Sequence, residues 1–304
     1  MKDIKGLTEE EYLEKYNSSK YEKPSLTVDI LLFTLDEIRN EDIKRLPEKE
    51  LKILLIKRNE HPFIGTWGIS GGFVDINESV DNAAYRELTK DANIEDVYME
   101  QLYTWGEVNR DPRMRVVSAS YIALVNKQGL KEKAGDEVND LAWFSISKEL
   151  ISDYTTKNGQ LIKNYIISLI SNEKDIKIIY KIKETNIFIG FNTKVDYKFE
   201  VEKSSNSKLA FDHVEILSYA LERMSNKVQY TTIAFSLLSK NFTLTELQQV
   251  YELLLGRKLT KPNFRRWISK IVEETSYTKR EGSYRPSKLY TLNKKLILKE
   301  FINI

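Results

Sequence analysis

In the stretch GGFVDINESVDNAAYRELTKDANI, residues 71–94, the charged residues Glu87, Lys90 and Asp91 lie three and four positions apart, a spacing that gathers them on one face of a helix. Two carboxylates on such a face suit a hard, oxygen-seeking divalent cation. The ammonium beside them does not. A unit charge about 4 Å from another contributes ~4 kcal/mol at an effective dielectric of 20, so an ammonium where a carboxylate could stand moves a cation's surroundings several kcal/mol against binding. Lysine is itself a good point-charge partner for phosphate, so this face is better suited to holding a phosphorylated ligand than to two-metal chemistry. The competing reading is that Lys90 points into solvent while Glu87 and Asp91 hold one ion.

A second concentration of charge lies near the C-terminus. Between residues 257 and 288 the basic groups are Arg257, Lys258, Lys261, Arg265, Arg266, Lys270, Lys279, Arg280, Arg285 and Lys288, against Glu273, Glu274 and Glu281. The whole chain carries a net charge of only +2. The excess is therefore local, as a phosphate backbone would require. The competing reading is a solvated basic face on a module used for dimerisation or ligand contact.

The elements that must position these groups follow from periodicity. SLTVDILLFTL (25–35) and LKILLIKR (51–58) read as strands joined by a charged connection. Gly65, Gly68, Gly71 and Gly72 end regular structure. After Glu78 the pattern turns helical, with Val80, Ala83, Ala84 and Leu88 on one face. VYMEQLYTWG, RVVSASYIALV and LAWFSI resume the strand pattern, with Trp67 and Trp105 expected in the core. The region 160–203 reads as a β-rich insertion in which IKIIYKI, NIFIGF and VDYKFEV are strands and QLIKNYIISLIS is either helix or strand; EKSSNSK (202–208) reads as a linker.

Farther on, Thr243 and Glu246 form a capping box for a helix with Leu244, Leu247, Val250, Tyr251 and Leu254 on its apolar stripe, and Gly256 ends it. Thr260 is expected to cap a second helix, with Pro262 in its first turn and a buried stripe of Phe264, Trp267, Ile268 and Ile271. YTKREGSYRPSKLYTL then reads as a hairpin. Helix, turn, basic helix and basic hairpin are the parts of a winged helix-turn-helix.

With 304 residues, 41% of them apolar, the chain can fill two cores, and the expected division is 1–207 and 208–304. It has no cysteine, so a reducing compartment, the cytoplasm, is expected, and cysteine-ligated zinc is excluded. His61 and His213 lie far apart, against a histidine metal site. No run of about 18 apolar residues suggests a membrane span, and the charged opening MKDIKGLTEEEYLEKY is unlike a signal peptide.

The spacing of Gly72, Glu78, Arg86, Glu87, Leu88 and Ile94 resembles the Nudix box, G-x5-E-x7-R-E-U-x-E-E-x-G-U, where U is apolar. The resemblance implies an α+β Nudix fold, a mixed sheet sandwiched by helices, and enzymes of the family cleave nucleoside diphosphates linked to another group by means of divalent cations. It makes Glu87 a base or metal ligand. It also marks Lys90 as standing where a metal-binding glutamate is usual, Asp91 as a shortened replacement for a second one, and Asn93 as a substitute for glycine. The constellation Glu78, Arg86, Glu87, Lys90 and Asp91 is thus degenerate, with Glu87 and Asp91 as metal-ligand candidates. No cofactor is required, and Mg²⁺ enters only if hydrolysis persists.

Residues 101–125 resemble the corresponding part of ADP-ribose pyrophosphatase-like Nudix proteins. In that stretch Arg110, Arg113 and Arg115 could contact an anionic ligand and Tyr103 or Trp105 could stack on a base or ribose, a solvated loop being the alternative for Arg110 and Arg113; the candidate ligand-binding residues are Arg58, Gly71, Gly72, Lys90, Tyr103, Arg110 and Arg113. FDHVEILSYALERM together with the C-terminal module resembles Nudix-related transcriptional regulators of the NrtR type. That resemblance implies a dimeric regulator without membrane contact, which senses ADP-ribose or a related nucleotide or sugar metabolite and binds a double-stranded operator. The DNA contacts would come from Lys261, Asn263, Arg265, Arg266, Lys270, Lys279, Arg280, Arg285 and Lys288, with Arg265 and Arg266 near the start of the recognition helix. The alternative is a working Nudix pyrophosphatase with an appended winged helix.

Overall fold

The computed structural model describes residues 2–38, 47–92, 97–126, 140–280, 286–293 and 295, the side chains of 91, 92 and 140 apart. The side chain of Asp91, the residues Asn93, Ile94, Glu281 and Arg285, and most of the charged connection after the first strand lie outside the described residues.

Ten strands form one mixed sheet: β1 (Ser25–Ile38), β2 (Glu48–Lys57), β3 (Trp67–Gly68), β4 (Ser70–Phe73), β5 (Tyr98–Trp105), β6 (Val116–Leu124), β7 (Asp140–Thr155), β8 (Leu161–Ser171), β9 (Ile176–Ile189) and β10 (Asn192–Val201). Their order is β10-β9-β8-β7-β2-β1-β6-β5, with β3 on β2 and β4 on β1. The β1–β6 pair is parallel, and β1 pairs antiparallel with β2 and β4. Every residue of β1 from Val28 to Leu35 is buried, which explains why this strand reads as a continuous run rather than an alternation: both of its faces are covered.

One face is covered by α2 (Val80–Ala92), whose Ala83, Ala84 and Leu88 pack on Val28, Ile30, Leu32 and Ala119. The other face carries α3 (His213–Lys227), α4 (Leu244–Leu255) and α5 (Lys261–Ile268) in one uninterrupted apolar cluster. It runs from Phe33, Ile53 and Phe144 through Ile216, Leu217 and Ala220 to Leu247, Val250, Tyr251, Phe264 and Ile268. The hairpin of β11 (Val272–Lys279) and β12 (Ser287–Leu292) completes the winged helix. A short α1 (Glu9–Lys15) is opened by a Thr8/Glu11 capping box, the same signature as Thr243 with Glu246. No described helix is long and apolar enough to cross a membrane.

The 160–203 region is β-rich as expected, and its open element is a strand. QLIKNYIISLIS is strand β8, and IKIIYKI and NIFIGF lie in the single strand β9, the turn falling at Gly190, which has a φ of +60°. These strands extend the same sheet in register, and the extension already begins within β7, which runs to Thr155. Residues 202–208 are not a free linker. Asn206 N donates to Lys177 O (3.0 Å), Glu202 N to Ile179 O (2.8 Å) and Trp67 N to Lys208 O (3.1 Å), so the segment is laced to β9 and β3.

Candidate functional site

The glycines and α2 meet in one corner. Glu87 is buried on the inner side of α2, and the backbone of β4 passes so close that a Cβ on Gly72 would sit 2.4 Å from Glu87 Oε1. A Cβ on Gly71 would sit 2.2 Å from the carbonyl oxygen of Val28. Backbone cannot yield as a flexible side chain does. Gly71→Ala is therefore expected to lower stability by about 1–3 kcal/mol, the usual cost of overpacking, read as a lower denaturant midpoint at unchanged slope; an unchanged midpoint would mean that β4 can shift without cost.

Arg86 organises the loop leading into α2. It donates through NH2 to Glu78 Oε1 (2.6 Å) and to Phe73 O (2.9 Å), through Nε to Glu78 Oε2 (3.1 Å), and through NH1 to Glu87 Oε1. The guanidinium holds the Glu78 carboxyl below its ordinary range. Glu78 Oε1 also accepts from Asp75 N (2.8 Å). Glu78 and Arg86 thus act as a brace on the loop. The other oxygen of Glu87 faces Lys90, whose Nζ lies 3.5 Å away on a side chain that is 63% exposed. Lys90 is neither turned away into solvent nor buried: it sits at the mouth of the site with its charge against Glu87.

A cleft opens there, lined by Ile56, Lys57, Arg58, Asn59, Glu60, Gly68, Ile69, Gly71, Glu87 and Lys90. It brings together four of the expected residues, Arg58, Gly71, Glu87 and Lys90, and adds Lys57 and Asn59. Three cationic side chains on such a cleft suit a phosphorylated ligand. Glu87 as placed suits a divalent cation poorly. Among the described residues no three acidic or histidine side chains converge, and Glu87 already has Arg86 on one oxygen and Lys90 near the other.

Tyr103, Arg110 and Arg113 are not among the residues lining that cleft. Tyr103 is half exposed and packs edge-on against Trp105 at 5.0 Å, and both rings contact Tyr219 of α3. Trp67 is buried as expected, whereas Trp105 is only partly so, its Nε1 donating to Ser120 Oγ (2.8 Å). Arg113 grips Asp111 with Nε and NH2 at 3.1 and 2.8 Å, and its charge helps to lower the pKa of Arg58, which burial lowers first.

Arg110 corrects the sequence reading most clearly. Its guanidinium is turned inward, with Nε and NH2 each 2.8 Å from an oxygen of Asp212 and NH2 3.4 Å from Asp29 Oδ2. It ties the loop after β5 to the start of α3. His213, the next residue, is buried, burial pushes its imidazole pKa down, and its Nδ1 accepts a hydrogen bond from Ile69 N (3.0 Å). Phe211 stacks under Arg58 at 4.9 Å and touches Phe63. The cleft floor and the head of α3 are thus built from the same contacts. No local spacing could have shown this, because Asp212 and His213 are 102 and 144 residues from the partners they hold.

In the winged helix the Thr243/Glu246 capping box and the left-handed Gly256 form as expected. Three expectations fail. Thr260 makes no side-chain cap, Trp267 is 40% exposed, and α5 stops at Ile268, which leaves Ile271 and Lys270 beyond its end and puts Arg265 and Arg266 in its last turn rather than near its start. The helix is too short for a third turn of stripe. Lys261, Asn263, Arg265, Arg266, Lys270 and Arg280 are exposed. Lys279 instead donates to Glu246 Oε1 (2.8 Å), stapling hairpin to α4, and Lys288 to Glu274 Oε1 (2.5 Å), so the charges of these two cations are partly neutralised.

Comparison with known proteins agrees with both halves. Residues 43–165 match the NUDIX domain, and residues 234–292 match the NrtR DNA-binding winged helix domain. Over 287 residues the chain is 30% identical to the ADPR responsive transcriptional repressor NtrR of Acinetobacter baylyi, covering 93% of this chain and 88% of that protein. The crystal structure of a MutT/nudix family protein from Enterococcus faecalis superposes with a TM-score of 0.65 at 29% identity, covering 94% of each chain. That of Shewanella oneidensis NrtR complexed with a 27mer DNA superposes with a TM-score of 0.54 at 27% identity, covering 88% of this chain and 93% of that one.

Fold and site together define a Nudix-fold domain joined to a DNA-binding winged helix. The chain belongs to the NrtR family of transcriptional regulators.

Proposed function

We propose that the protein is a transcriptional repressor that binds ADP-ribose, or a closely related phosphorylated metabolite, in the cleft between Arg58 and Lys90 without hydrolysing it, and that this binding alters the grip of the winged helix on an operator duplex. The observation that carries the reading is Lys90 Nζ lying 3.5 Å from Glu87 Oε2, where it opposes a cation and favours a phosphate. On this reading no cofactor is required. A ligand phosphate against Arg58, Lys57 and Lys90 would pull on the segment that also contacts Phe211 and His213, and α3 passes that displacement to α4 through their shared core. Two copies per operator fit this role, since paired recognition elements read a palindrome.

The test combines calorimetric titration of ADP-ribose into the full chain with a Mg²⁺-dependent hydrolysis assay. Binding with negligible turnover is expected, and Lys90→Glu is the single change expected to raise turnover. Hydrolysis by the natural sequence on the order of 1 per second or faster would overturn the sensor reading in favour of a pyrophosphatase with an appended winged helix.

A further inference from the structure

The ten-stranded sheet ends on β10. Exposed edge strands are ordinarily blunted by bulges, prolines, shortness or charged side chains. This one carries charge alone: all ten residues pair with β9 in unbroken register from Asn192 opposite Ile189 to Val201 opposite Tyr180, and the strand contains no proline. Its side chains alternate in two sets. Lys194, Asp196, Lys198 and Glu200 share one face, and Thr193, Val195, Tyr197, Phe199 and Val201 share the other. Nearly all are exposed, including the apolar Val195, Tyr197 and Val201.

We propose that β10 is the surface through which two copies of this chain associate, pairing antiparallel with its own counterpart across a two-fold axis at Tyr197. The charge order selects this register. With Tyr197 opposite itself, Lys194 faces Glu200 and Asp196 faces Lys198, each pair occurring twice because the interface is isologous. On the other face Val195 meets Phe199 and Thr193 meets Val201. Sliding the partner by two residues in one direction sets Lys194 against Lys198, and in the other direction sets Asp196 against Glu200. Opposite charges across a strand pair stabilise it and like charges destabilise it, so the alternation +, −, +, − favours one alignment and penalises its neighbours. In the single chain these charges pair along the strand, Lys194 with Asp196 at 3.1 Å and Lys198 with Glu200 at 2.9 Å. The inference rests on the reading of the regulator as a dimer, and it names the surface that would make it one.

Sedimentation equilibrium on the full chain at low salt tests it with three proteins. The natural sequence is expected to be a dimer. Lys198→Glu, which sets carboxylate against carboxylate twice per interface, is expected to raise the dissociation constant at least tenfold. The exchange Asp196→Lys with Lys198→Glu, which restores complementarity in the same register, is expected to return it close to its original value. Circular dichroism checks that each variant is folded. A dimer untouched by either substitution would overturn the assignment to β10 and leave the dimer reading standing; a natural sequence that stays monomeric at every concentration would overturn the dimer reading itself.

Discussion

Arg110→Ala is expected to destabilise the protein by about 3–5 kcal/mol, the range seen when one partner of a buried ion pair is removed. The side chain is 6% exposed and its partners Asp29 and Asp212 are 12% and 14% exposed, so solvent cannot replace the lost guanidinium. Asp29 would retain the hydroxyl of Ser118, which donates to Oδ2 at 2.5 Å, whereas Asp212 would keep its charge at the head of α3 without the two bonds that now hold it. Arg110→Lys should recover only part of the loss, because an ammonium cannot reproduce the fork that meets both oxygens of Asp212. Urea unfolding of the three proteins measures this. A loss below about 1 kcal/mol, the usual worth of a surface pair, would show that the Arg110 site is solvated.

The second large effect concerns the operator. Arg266 is exposed on α5, and its NH2 already donates to Asn263 Oδ1 at 3.2 Å, an arrangement that presents an arginine and an amide side by side one turn apart. Arg265 is exposed beside it. Replacing either arginine by alanine should reduce the preference for operator over scrambled duplex by ~1–3 kcal/mol if it meets a guanine edge in bidentate fashion. Arg280→Ala, at the hairpin, should instead weaken both duplexes alike and lower the dependence of affinity on salt by about one unit of slope. A salt series on both duplexes separates these outcomes. Equal weakening of both duplexes by all three variants would place Arg265 and Arg266 on the phosphate backbone rather than the bases.

The sequence disclosed what depends on neighbours along the chain. The periodicity of β1, β2, α2 and α4, the capping box at Thr243 and the pairing of Glu87 with Lys90 are all set within a few residues, and each has the structural form its spacing implies. It failed where partners are distant. Arg110 looked like a loop cation because nothing near it announces Asp212, and residues 202–208 looked like a linker because their hydrogen-bond partners belong to β9. The end of α5 was misjudged for a related reason: Trp267 and Ile271 continue an apolar spacing, but the chain turns at Ser269 into the hairpin before a third turn can form.

The apolar cluster that passes without a break from the sheet through α3 into α4 and α5 has a thermodynamic consequence. Two modules that share their interior cannot melt independently, because exposing the core of one strips apolar cover from the other. Ligand bound only to the native state stabilises it by RT ln(1 + [L]/Kd), and in a single cooperative unit that increment is conferred on the whole assembly. A metabolite seated against Arg58 would therefore protect amides in α4, far from any atom it touches, and the reach of an effector along this chain is set by the extent of the cooperative unit rather than by a line of contacts.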